Sequence, residues 1–139
     1  MPRLVTFSAT DAGGVGKPVG LSEVMPALWQ QESGGRPGIR GPQTKYGQAL
    51  GIGQTLPGTA REMAQKLGLP WKPELLTGTD PNAANYQKQL SAAYFTEGLN
   101  KTGNMRDALH FYHGGPNRKL WGPKTRSYAN SVLGRIGRR

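Results

Sequence analysis

The stretch "ALWQQESGG", residues 27–35, decides how this chain reads. Met25, Leu28, Trp29 and Glu32 fall at i, i+3, i+4 and i+7, which is one face of a helix. That face is apolar except for its last member, a glutamate, and Gly34-Gly35 then end the helix. A carboxyl in such surroundings, near an indole, loses hydration when it ionises, so its pKa is expected to rise. Two readings stay open here. Glu32 is either a buried carboxylate satisfied by an N–H or an arginine, or a neutral acid kept for proton transfer. The glycines that follow let backbone and ligand approach the carboxyl without Cβ clashes.

Outward from this helix the chain reads as mostly α. Ser22 is a plausible N-cap, with Pro26 near the first turn. Residues 34–54, "GGRPGIRGPQTKYGQALGIGQ", carry too many glycines for a helix and predict a glycine-rich loop or short β-hairpin. A second helix fits Pro57 to Leu67, with Gly68 beyond its end. "LPWKPELLTG" reads as a connecting loop. Asp80-Pro81 opens a third helix running to about Asn100, and Asn104 caps a fourth through Tyr112. "HGGPNRKLWGP" reads as a loop, and a last helix fits Pro123 to about Ile136. Residues 1–20 lack periodicity and read as an extended N-terminal arm ahead of one domain over 21–139.

Composition narrows the function classes. The chain has 139 residues, 21 Gly, 11 Pro and no Cys, which excludes a disulfide framework, a thiolate nucleophile and a cysteine metal site. No apolar run is long enough to span a membrane. The N-terminal residues lack the pattern of a signal peptide. Net charge is +10 and unevenly spread. Residues 101–139 hold nine basic residues against the single acid Asp107, a net +8. Such a segment fits an anionic partner or a solvated face.

Four blocks follow one another in order: "ES" at Glu32-Ser33, "GQALGIGQTLPGTA" at 47–60, "FYHGGP" at 111–116 and "KTRSY" at 124–128. Together they resemble the lytic transglycosylase family with the soluble-transglycosylase, goose-lysozyme-like domain, over roughly residues 22–137. The resemblance implies a lysozyme-like fold acting on peptidoglycan glycan strands without a cofactor. It implies that Glu32 is the single catalytic acid/base. It implies that Gln54 lines the sugar site on a tight turn formed by Ala49, Gly51 and Ile52, and that Pro57, Thr59 and Ala60 start the next helix. Tyr112 matches a tyrosine set close to the catalytic carboxyl, Gly115 a motif glycine, and Tyr128 a late tyrosine. Ser33 belongs to the same set, and Thr44 and Tyr46 are further candidates for sugar contacts.

The chain also departs from that pattern. Gln48 stands in place of glycine, Gly53 in place of methionine, His113 in place of asparagine, and Lys124 in place of a glutamate thought to face the substrate. His113 brings a titratable group. His110 and His113 at i, i+3 have a metal-like spacing, but no carboxylate or cysteine completes a set, so no metal is expected. Trp71 and Trp121 read as core plugs or sugar-stacking rings; Tyr86, Tyr94 and Phe95 read as core.

Two-carboxylate glycosidases need a second acid about 5–5.5 Å or about 6.5–9.5 Å from the first. Asp11, Glu23, Glu62, Glu74, Asp80, Glu97 and Asp107 all lie outside any motif beside Glu32. The resemblance therefore implies a one-carboxylate mechanism that leaves 1,6-anhydro-N-acetylmuramic acid ends. A goose-type muramidase releasing reducing ends is the alternative enzyme, and a non-catalytic wall- or nucleic-acid-binding module the alternative class. The lack of an export pattern fits a phage lysin, or a virion-associated enzyme delivered to the periplasm or cell wall. Other virion proteins and anionic polymers are its further expected partners.

If the basic third drives wall association, neutralising Arg118, Lys119, Arg135, Arg138 and Arg139 weakens sacculus binding at low salt. It makes little difference near about 1 M, where the Debye length is about 3 Å. Salt-independent binding of the parent chain in a sedimentation assay contradicts this.

Overall fold

The computed structural model describes residues 6–7 and 19–137. Thr6–Phe7 (β1) pairs antiparallel with Val19–Gly20 (β2), Thr6 opposite Gly20. The expected arm over 1–20 otherwise falls on residues outside those described. Then come Leu21–Ser33 (α1), Arg40–Thr44 (β3), Gly47–Leu50 (β4), Pro57–Leu67 (α2), Pro81–Thr102 (α3), Met105–Gly114 (α4) and Pro123–Gly137 (α5). Two short 3-10 helices, Pro73–Leu76 and Arg118–Leu120, lie in segments that the sequence reads as loops.

The expected mostly helical order is thus present, with the hairpin directly after the helix bearing Glu32. α1 begins at Leu21, so Ser22 lies inside its first turn and not at its cap. Pro26 is then an interior residue. It has no N–H to give the Ser22 carbonyl, and both residues are exposed, where water meets the need.

The chain packs as two compact units. One comprises Trp29–Tyr94; the other comprises the residues up to Leu28 together with Phe95 onward. In the first, Ala60, Met63 and Ala64 of α2 pack with Leu76, Tyr86 and Leu90, and Trp71 and Tyr94 lean on that cluster. α2 ends as its sequence predicts, with Gly68 at φ 71° and its N–H returning to Ala64 and Gln65. In β3, Gly41-Pro42 form a bulge opposite Ala49, a position where proline's missing N–H costs no ladder bond.

In the second unit α4 packs on α5, with Ala108, Leu109, Ala129 and Val132 fully buried. Asn104 caps α4: its side chain accepts from Asp107 N at 2.8 Å, and its amide returns to the Asp107 carboxylate at 3.0 Å. Asn104→Ala removes both bonds, and urea unfolding is expected to show a loss of about 1 kcal/mol. An unchanged midpoint means that water caps α4 equally well.

Candidate functional site

Glu32 sits half-buried on the last turn of α1, where the helix's fully buried face gives way. Val24 and Leu28 are fully buried, Met25 nearly so; Trp29 is half-buried, its Nε1 donating to the buried Ser91 Oγ at 3.1 Å. Lys88 Nζ lies 5.3 Å over the Trp29 ring. Gly34 and Gly35 both adopt positive φ, and their amides turn back to the carbonyls of Gln30 and Trp29. Arg36 follows, its Nε donating to Ser33 O at 3.2 Å. The two glycines thus let the chain reverse on the helix end and satisfy carbonyls that would otherwise be orphaned.

Ser33, next to Glu32, is buried and donates to Ile52 O at 2.8 Å. Ile52 belongs to a four-residue turn, Gly51–Gln54, closed by Gln54 N to Gly51 O at 3.1 Å and by the Leu50–Thr55 bridge. Gln54 has φ 52°, the one positive φ outside glycine among the described residues. A side chain held there costs of order 1–3 kcal/mol, and such strain clusters at functional sites. Two bonds offset it: Gln54 Nε2 donates to Ile39 O at 3.0 Å and to Gly51 O at 2.9 Å. Its oxygen lies over Gly41, where any Cβ would collide with it. A tight turn carrying Gln54 is therefore present over Gly51–Gln54, while Ala49, expected within it, lies in β4.

Behind this turn lies Gln87 of α3, whose side-chain oxygen accepts from Ile52 N at 2.9 Å. Sequence reasoning missed both Gln87 and Ser91. The available signal was two polar residues on the stripe of Ala83, Leu90 and their neighbours, at i, i+4, i+7 and i+8. Tyr46 stands at the tip of the hairpin, the end of β4 away from the turn; it is 68% exposed, with Lys45 Nζ 5.1 Å over its ring. Thr44 is used within that tip: its Oγ1 accepts from Tyr46 N and donates to Gly47 O.

Tyr112, His113, Gly115 and Tyr128 belong to the other unit. Tyr112 is buried, its ring 6.3 Å from Phe95. His113 is exposed at its rim yet lies flat on the buried Tyr128 at 4.5 Å. Lost hydration, then the charge of Lys124, hold its pKa below the usual imidazole value. Gly115 O accepts from Trp121 Nε1 at 2.8 Å, so Trp121 closes the loop, and both Arg118 and His110 lie against its ring. His110 is buried against Thr125 Oγ1 at 2.7 Å. Burial lowers its pKa despite the opposing pull of Asp107. Among the described residues no three His, Asp or Glu side chains cluster as a metal cage requires.

The sequence model of the transglycosylase SLT domain matches residues 16–132. The chain belongs to the transglycosylase SLT domain family. It is 33% identical over 108 residues to a transglycosylase of Enterobacteria phage PRD1, an alignment covering 77% of this chain and 34% of that protein. The fold matches the X-ray structure of an inactive mutant of the lytic transglycosylase Slt from Pseudomonas aeruginosa, with TM-score 0.62 at 23% identity. That match covers 94% of this chain and 22% of Slt. The chain thus spans about a third of the phage relative and about a fifth of Slt. Within this SLT domain no described helix is long and apolar enough to cross a membrane.

Ser33→Ala takes the hydroxyl from a buried contact and leaves Ile52 O facing an apolar methyl. The SLT domain should lose about 1–3 kcal/mol by thermal or urea unfolding. A loss below about 0.5 kcal/mol would mean the turn does not depend on this bond.

Proposed function

We propose that this SLT domain is a lytic transglycosylase that cleaves the β-1,4 bond between N-acetylmuramic acid and N-acetylglucosamine, with Glu32 as its single acid and base. Membership of the family, over a match that includes Glu32, carries the reading. The local setting supports it. Glu32 is half-buried on the C-terminal turn of α1, where the negative end of the helix dipole disfavours a carboxylate and favours the neutral acid. Its neighbour Ser33 is anchored, so the carboxyl projects from a fixed turn.

Five other described carboxylates have structural work or stand in the open. Glu62 pairs with Lys66, Glu97 with Lys101, and Asp107 with Asn104 and Arg118. Asp80 caps α3 by accepting from Ala83 N, and Glu74 is exposed. These roles support the one-carboxylate route that the family resemblance implies. Glu32 gives its proton to the glycosidic oxygen as the bond to the anomeric carbon breaks. The substrate's own N-acetyl oxygen supports the cation-like carbon. The Glu32 carboxylate then takes the proton of the C6 hydroxyl, whose oxygen closes the 1,6-anhydro ring. The enzyme ends as it began, and no water is consumed. In this reading Gln54, Tyr112, His113, Gly115, Tyr128 and Tyr46 contact the glycan, Ser33 sets the turn, and the domain acts from a virion or after delivery to the wall.

Glu32→Gln keeps the volume and removes the proton. Lysis of purified sacculi should fall by more than the roughly 10²–10⁴ of general acid catalysis, because one group serves both half-steps. The relative's inactive form also carries glutamine for a glutamate. If more than about a tenth of the rate survives in a folded variant, Glu32 is not the acid. Mass spectrometry of the fragments decides the rest. Ends lighter by one water are expected; predominant reducing ends give the muramidase reading, and His113→Asn then asks whether the exposed imidazole activates that water.

A further inference from the structure

Gln87 lies in α3 and is 3% exposed. Its carboxamide meets four backbone groups from three separate segments. Oε1 accepts from Gly38 N at 3.0 Å and Ile52 N at 2.9 Å. Nε2 donates to Leu75 O at 2.8 Å and Gly78 O at 2.9 Å. These are all the bonds a carboxamide can make: two lone pairs and two N–H groups. Gly38 lies in the segment leaving α1, Ile52 in the turn bearing Gln54, and Leu75 and Gly78 at and beyond the end of a 3-10 helix.

Ile52 is thereby gripped on both sides. Its N–H goes to Gln87 and its carbonyl to Ser33, the residue after Glu32. Gly51 beside it has φ 84°, and a Cβ there would meet the Gln87 side chain at 3.0 Å. The glutamine therefore works at van der Waals range against the turn it holds.

We propose that Gln87 is a positioning residue for glycan cleavage, one that fixes the Gly51–Gln54 turn against the end of α1 that presents Glu32. The proposal rests on the reading of Glu32 as the acid. Gln87 touches no substrate; it acts through Ile52 and Ser33. A displacement of about 1 Å in such a site costs on the order of 10²-fold in rate. No apolar side chain of the same size can replace it, because four backbone groups, the buried Ile52 N–H among them, would lose their partner together.

Two substitutions separate positioning from filling. Gln87→Met keeps the volume and loses all four bonds; the rate on sacculi should fall by about 10²-fold, while sedimentation shows binding nearly unchanged. Gln87→Glu retains part of the network only while protonated. The neutral acid accepts at its carbonyl and donates one O–H; the carboxylate cannot donate and faces two carbonyl oxygens. Burial and those oxygens raise its folded-state pKa against the opposing pull of the Gly38 and Ile52 N–H groups, so the O–H bond to Leu75 O or Gly78 O persists at low pH and is lost as pH rises, while the two N–H bonds remain. The ratio of Gln87→Glu to wild-type rate should therefore fall by about tenfold or more from about pH 5 to pH 8.

A folded Gln87→Met protein with the wild-type rate overturns the proposal. If that variant does not fold, a pH-independent ratio for Gln87→Glu overturns it. A wild-type domain that leaves sacculi uncut overturns the reading of Glu32 first, and the positioning role falls with it. An active wild type with indifferent Gln87 variants overturns the role of Gln87 alone.

Discussion

One buried carboxamide, that of Gln87, carries the constraint on which the Trp29–Tyr94 unit depends. Seven of the 21 residues from Gly34 to Gln54 are glycine, so the segment has little apolar surface to bury and much backbone entropy to lose. Hydrophobic burial cannot hold such a segment in one shape. Polar side chains do so instead: Gln87 from α3, Ser33 from the end of α1, and Gln54 from the turn itself. Each bond is worth only about 0.5–1.5 kcal/mol net, but breaking one leaves a buried group unsatisfied at a larger cost. Fully satisfied networks of this kind specify one arrangement more sharply than an apolar contact does.

The other unit solves a similar problem with rings. The loop from Gly115 to Gly122 is anchored by Trp121, which stacks on His110, lies under Arg118 and bonds back to Gly115 O. Thr125 ties the loop to α5 by accepting from Gly122 N at 2.9 Å, and it shares a hydrogen bond with His110. His113 continues the theme on Tyr128. Trp121 is thus neither a plain core plug nor an open sugar platform. It is the closure of a loop, and the sequence signal for that role was only its place between glycine and leucine.

Much of the fold was legible because its signals are local. Asp80-Pro81, Asn104 and Gly68 each sit where a helix must start or stop, and each does so through its expected chemistry. The Glu32 helix and the Gln54 turn were legible too, the first by periodicity and the second by motif. The start of α1 was misjudged because Ser22 looks like a cap in sequence, whereas the helix follows directly on the strand that ends at Gly20. The two 3-10 helices were missed because proline and charge made both stretches look like open loop. Gln87 was unreadable for a deeper reason. Its partners are four backbone groups spread from Gly38 to Gly78, and a backbone group leaves no mark in the sequence.

The charge of the C-terminal third gains meaning from the two histidines within it. Burial keeps His110 below the ordinary imidazole range although Asp107 pulls the other way, and lost hydration with Lys124 does the same for His113. Near neutral pH the positive field therefore comes from lysine and arginine, which do not titrate there. Carboxylates answer some of it: Glu97 meets Lys101, and Asp107 meets Arg118. Lys119, Lys124 and Arg126 stand exposed on the 3-10 helix and the start of α5. Such a field attracts an anionic polymer at long range and weakens with salt. It does not depend on a proton, so the attraction should persist across the range in which imidazoles and carboxylates change charge.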